Sequence, residues 1–113
     1  MKTPDSAGDF EQLVLLSILR LGEVAYGMTI RREIEEQGGR SVSLGAVYRT
    51  LQRLEDKGWV SSRLTDGTGI RNRRAKRFFR VEPPGEKALR NAIRAVDGLR
   101  LGLDGYAPGG GAR

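Results

Sequence analysis

Ser43-Leu44-Gly45-Ala46-Val47-Tyr48-Arg49-Thr50-Leu51-Gln52-Arg53-Leu54-Glu55-Asp56-Lys57-Gly58-Trp59-Val60, residues 43–60, is the stretch that decides the fold. Ser43 has the residue type of a helix cap, because a serine oxygen there accepts an N–H of the first turn that has no partner inside the helix. Leu44, Val47, Tyr48, Leu51 and Leu54 recur at helical spacing and are expected to face inward. Ala46, Arg49, Thr50, Gln52, Arg53, Asp56 and Lys57 fall on the opposite, polar face, and Gly58 ends the helix. At Trp59 the period shortens, and Trp59 to Leu64 alternates as a strand does.

Toward the N-terminus, a second helix is expected from Tyr26 to Gln37. Tyr26, Ile30 and Ile34 are spaced by four, and Gly38-Gly39 stops the helix. Before it, Phe10, Leu13, Val14, Leu15, Leu16, Ile18, Leu19 and Leu21 are apolar on more than one face, which marks a central core helix ending near Gly22. Asp9 and Gln12 have the spacing of a capping box at its start. Residues 1–8 read as a flexible leader.

Toward the C-terminus, Lys76 to Val81 is a second alternating run. The Gly-rich turn at 65–70 and a basic stretch separate it from the first, so the two form a β-hairpin with a long charged tip. Pro83-Pro84-Gly85 reads as a break, with a last helix starting near Glu86, where an acid suits the first turn. Leu89, Ala92, Val96, Leu99 and Leu103 follow a three–four alternation, a short heptad stripe suited to pairing with a second copy. Residues 105–113 are Gly/Pro-rich and expected to be disordered.

The charge is concentrated rather than spread. Twenty basic and 14 acidic side chains leave a net +6. Residues 63–80 alone hold seven basic and one acidic side chain: Arg63, Arg71, Arg73, Arg74, Lys76, Arg77 and Arg80 against Asp66. Such a cluster on a hairpin points to a polyanionic partner. A membrane surface would call for a basic amphipathic helix instead. With no Cys and no His, thiolate metal sites, HExxH sites and His-based nucleophile triads are excluded. No catalytic residue, metal site or cofactor is expected. Gly67-Thr68-Gly69 lacks the strand-to-helix setting of a phosphate loop. No run approaches a membrane span and no signal peptide is evident, so the expected location is cytoplasmic.

Three helices, a hairpin and a final helix make a mainly α fold with a small β-hairpin: a winged helix-turn-helix over 9–82 plus a C-terminal dimerisation helix over 83–104. The third helix suits the major groove of duplex DNA, about 12 Å wide, with the basic wing alongside it on the phosphates. Leu15-Leu16-Ser17-Ile18-Leu19, Tyr26-Gly27-Met28-Thr29-Ile30 and the run Gly45 to Val60, with a basic wing ending in Phe78-Phe79, resemble the PadR family of transcriptional regulators. The resemblance covers roughly residues 10–100. It implies a dimeric DNA-binding regulator in which the last helix mediates dimerisation, as in the smaller branch of the family. Where that family carries a Thr before the final helix, this chain has Glu82.

The expected DNA contacts are Tyr26, Ser43, Ala46, Tyr48, Arg49, Thr50 and Arg53 on and around the third helix, with Arg71, Arg73, Arg74, Lys76 and Arg77 on the wing. Tyr48 and Tyr26 are also suited to packing, and Trp59 to a place in the core. Leu89, Ala92, Val96, Leu99 and Leu103 are the expected dimer interface. The expected partners are double-stranded DNA and a second copy of the chain, and the expected role is that of a repressor acting on a roughly palindromic operator. An effector stays unspecified: the family's planar aromatic effectors find no aromatic residue on this last helix. The competing reading is a winged-helix module that binds protein or RNA.

Overall fold

The computed structural model describes residues 6–65 and 75–103. Its order is α1 (Asp9–Leu21), a short 3-10 turn (Gly22–Val24), α2 (Gly27–Gly38), α3 (Leu44–Asp56), β1 (Val60–Thr65), β2 (Lys76–Val81) and α4 (Pro83–Arg100). The mainly helical winged architecture read from the sequence is the architecture present. Arg71, Arg73 and Arg74 of the expected wing tip, and the tail at 105–113, lie outside the described residues.

Helix α1 buries Val14, Leu15 and Ile18 and leaves Leu16 and Leu19 exposed. It is wound one residue earlier than the capping box at Asp9 implied. Gly8 is the cap, and its N–H donates to Glu11 Oε1 at 2.8 Å. Gly8 has no side chain, so only this half of the reciprocal box exists. Ala7, read as part of a loose leader, is buried; its N–H donates to the Ala88 carbonyl at 3.2 Å and its carbonyl accepts from Gln12 Nε2 at 3.1 Å.

Helix α2 buries Ile30 and Ile34 and ends where Gly39 takes a left-handed φ of 65°, a conformation that costs glycine nothing. In α3, Ser43 Oγ accepts from the Ala46 N–H at 3.0 Å, as its type implied. Val47, Leu51 and Leu54 close the core between α1 and α2.

The wing is one antiparallel pair, from Val60 opposite Val81 to Thr65 opposite Lys76. Trp59, Val60, Phe79 and Val81 root it in the core. The Phe79 N–H donates to the Ala25 carbonyl at 2.9 Å, so the residues just before α2 pair with the edge of β2.

Pro83-Pro84 begins α4 rather than breaking the chain. Proline suits the first helical turn, where its missing N–H would have no partner and its φ is already helical. Glu82 therefore stands at the cap. Its carboxylate accepts from Ser61 Oγ at 2.5 Å and lies 3.6 Å from Arg80 instead of capping the helix. The first half of α4 packs home through Gly85, Ala88, Leu89 and Ala92.

Candidate nucleic-acid interface

Opposite the buried face of α3, the side chains of Arg49, Gln52, Arg53, Asp56 and Lys57 are exposed, together with Gly45. Two expectations fail here. Thr50, placed on the polar face, is only 3% exposed; it lies toward the core and its Oγ1 accepts from Arg53 Nη2 at 3.3 Å. Tyr48, placed on the inward stripe, is 45% exposed. The reason lies in α2. A Cβ on Gly27 would fall 2.3 Å from the Tyr48 hydroxyl, so Tyr48 lies flat across the first residue of α2. The Tyr26-Gly27 pair thus has a packing reason: glycine makes the seat for the Tyr48 ring.

Tyr26 is half-buried and meets Phe78 edge to face at 5.3 Å, with Lys76 Nζ 5.2 Å from the Tyr26 ring centre. Arg77 Nη1 donates to Ser62 Oγ at 3.0 Å, and Ser62 Oγ donates to Glu55 Oε2 at 2.8 Å. That relay ties both strands of the wing to the last turn of α3. Ser43 and Ala46 stand at the N-terminal end of α3, with the Ser43 oxygen engaged in the cap. Arg49 bends back along the helix, its Nη1 3.4 Å from where a Cβ on Gly45 would stand.

The sequence reading missed Glu11. Its carboxylate, 8% exposed, sits in the first turn of α1 and accepts from Lys57 Nζ at 2.7 Å, with Arg53 Nε at 3.7 Å. Burial alone would raise its pKa. The Lys57 and Gly8 hydrogen bonds and the charges of Lys57 and Arg53 outweigh burial, and hold it below the ordinary 4.5. Glu11 thus locks the start of α1 to the end of α3. Its only sequence signal was an acid in a first turn, because Lys57 is 46 residues away. Trp59 is buried, as expected, under Lys57 Nζ at 4.2 Å.

The dimer stripe divides. Leu89 and Ala92 belong to the protomer's own core, whereas Val96, Leu99 and Leu103 are exposed, Leu99 by 81%. Among the described residues there is no helix long and apolar enough to cross a membrane, and no cluster of three or more acidic, His or Cys side chains arranged to hold a metal.

This combination of a three-helix core, a two-stranded wing and a helix leaving it defines a winged helix-turn-helix protein. Residues 15–91 match the transcriptional regulator PadR-like family, and the chain belongs to that family. Its members are transcriptional regulators, not enzymes. The chain is 36% identical over 91 residues to the transcriptional regulator Rv3488 of Mycobacterium tuberculosis, across 76% of this chain and 78% of that protein. Its fold is similar to that of a transcriptional regulator from Clostridium thermocellum, with a TM-score of 0.67 at 17% identity over 86% of this chain and 91% of that one. It is also similar to Bacillus subtilis PadR in a complex with operator DNA, with a TM-score of 0.59 at 20% identity over 93% of this chain and 53% of that one.

Proposed function

We propose that this chain is a DNA-binding transcriptional repressor, acting in the cytoplasm as a homodimer on a roughly palindromic operator. One observation carries the reading: helix and wing open onto a shared cleft of about 600 Å³, lined by Tyr48, Gln52 and Asp56 of α3 and Arg77 of β2. A helix in the major groove needs a neighbour on the phosphates beside it, and here that neighbour is the hairpin on which the chain concentrates its positive charge. The fold's occurrence on operator DNA in Bacillus subtilis PadR supports the same use. RNA fits less well, because the A-form major groove is too narrow to admit a helix.

Dimerisation is supported by the exposed second half of α4 and the residues that follow it. Ile93, Val96, Leu99, Leu101 and Leu103 are exposed on a small chain, with Leu16 and Leu19 of α1 exposed as well. An apolar surface of that extent is a liability unless a second copy covers it. Two copies would present their α3 helices to half-sites about 34–36 Å apart, which makes the operator two-fold symmetric.

The test is fluorescence anisotropy on labelled duplexes across about 50–200 mM salt, where each neutralised phosphate contributes about −0.9 to the slope of log K against log salt. The Arg73→Ala, Arg74→Ala, Lys76→Ala triple variant should weaken binding to every sequence and flatten the slope by up to about 2.7 per protomer. An unchanged slope would remove the wing from the interface.

A further inference from the structure

We infer that Gln52 reads an adenine in the major groove and that Asp56 orients it for that purpose; the inference rests on the reading that α3 lies in the groove. An α-helix turns through 3.6 residues, so Gly45, Arg49, Gln52 and Asp56, spaced by four, three and four, line up opposite Val47, Leu51 and Leu54. All four are exposed. This line is the part of α3 that would reach deepest into a groove, about 16 Å long from its first residue to its last.

The cations around this line are differently placed. Arg53 is held to one side by Thr50 and Glu11, and Lys57 by Glu11. Arg49 folds toward Gly45 at the N-terminal end. The group left at the middle of the line is Gln52, and its amide has a partner on the same helix: its Nε2 donates to Asp56 Oδ1 at 3.1 Å.

That hydrogen bond carries information. An ionised aspartate only accepts, so the amide turns its nitrogen, not its oxygen, toward Asp56. Gln52 then keeps one Nε2–H donor and the Oε1 acceptor for a partner. Adenine presents the complement on its major-groove edge, with N7 to accept and the N6 amino group to donate. Guanine presents two acceptors, N7 and O6, and Oε1 would face O6 without a proton between them. Arg, by contrast, offers donors only, and its fork matches guanine or a phosphate. Asp56 is therefore a positioning residue: it selects the amide orientation that favours adenine and adds a negative charge that discourages the phosphate backbone from occupying that end of the helix.

The experiment uses the full chain and a randomised duplex library. Bound duplexes are sequenced, and affinities are then measured by anisotropy on the preferred duplex and its single-position variants. The wild type should prefer A·T at one position of each half-site, with replacement by G·C costing about tenfold, within the range of a bidentate base contact. Gln52→Ala should erase the preference at that position alone. Asp56→Asn, whose side chain can accept or donate, should weaken the preference at the same position and leave the others intact. Thermal melts matching the wild type would establish that neither exposed substitution acts through the fold. A Gln52→Ala variant with every base preference retained overturns the inference. So does one that loses affinity equally for all sequences, since that marks a phosphate contact. A wild type that binds no duplex at all overturns the DNA reading itself, and this inference with it.

Discussion

Gly85 and Gly98 stand in the same helix, and alanine at each should have opposite effects. A Cβ on Gly85 would lie 2.3 Å from the Trp59 carbonyl oxygen, 3.0 Å from its carbon and 3.1 Å from the Trp59 Cβ. These are backbone and buried atoms, so no flexible side-chain end can yield. The start of α4 must move away from Trp59, just before β1, which strains the Glu82 N–H to Trp59 carbonyl hydrogen bond of 2.9 Å. Overpacking of this kind costs about 1–3 kcal/mol, and losing a backbone hydrogen bond adds about 0.5–1.5 kcal/mol. Alanine's better helix propensity returns at most about 1 kcal/mol. The net loss is roughly 1–3 kcal/mol, or on the order of 10 °C in Tm for a domain of this size. Gly98 has nothing within 4 Å of its would-be Cβ, so Gly98→Ala keeps the propensity gain alone and should raise Tm by a few degrees. Urea and thermal unfolding at one protomer concentration would read both, because a dimer's apparent stability depends on concentration. If Gly85→Ala melts at or above the wild type, the close approach of α4 to Trp59 is not the constraint described.

Glu11 should govern acid stability. Its folded pKa is lowered, so its stabilisation is complete above about pH 4.5 and is lost as pH falls through the lower folded value; Glu11→Gln should flatten the decline of Tm on acidification, and an unaltered profile would argue against the Lys57 clamp. Val96→Asp with Leu99→Asp should give a folded monomer by sedimentation and circular dichroism, because both side chains are exposed, whereas Leu89→Asp should unfold the chain. A double variant that remains dimeric would place the interface elsewhere.

The parts of the fold legible in the sequence were those that one element settles for itself. Helical spacing in α3, the Ser43 cap, the glycines after α1 and α2 and the change of period at Trp59 all concern neighbours a few residues apart. What stayed hidden needed a second element. The same Pro-Pro pair can end one structure or open another, and which it does depends on Glu82 being held by Trp59 across the start of the wing. The α4 stripe has one period along its whole length. The contact with α1 belongs to the tertiary fold and not to the stripe: Leu89 and Ala92 are buried, whereas Val96 and Leu99 are exposed.

The candidate site was legible as a place more than as chemistry, and the reason is physical. A polar face and a cationic hairpin are properties of composition, so α3 and the wing could be named as a surface before any contact was known. The part each side chain can play depends on what already occupies its donors and acceptors. Arg53 and Arg49 have equal standing in the sequence. In the structure Arg53 shares a buried carboxylate with Lys57, and Arg49 is turned back along its own helix. Tyr48 sits at the margin of the apolar arc, where helical period cannot separate core from surface, and Gly27, 21 positions earlier, resolves it by leaving room for the ring outside the core. Specificity on such a surface follows less from which polar residues are present than from which of them are held in a fixed orientation. By that criterion Gln52, a neutral side chain among several cations, is the group on α3 best prepared to distinguish one base from another.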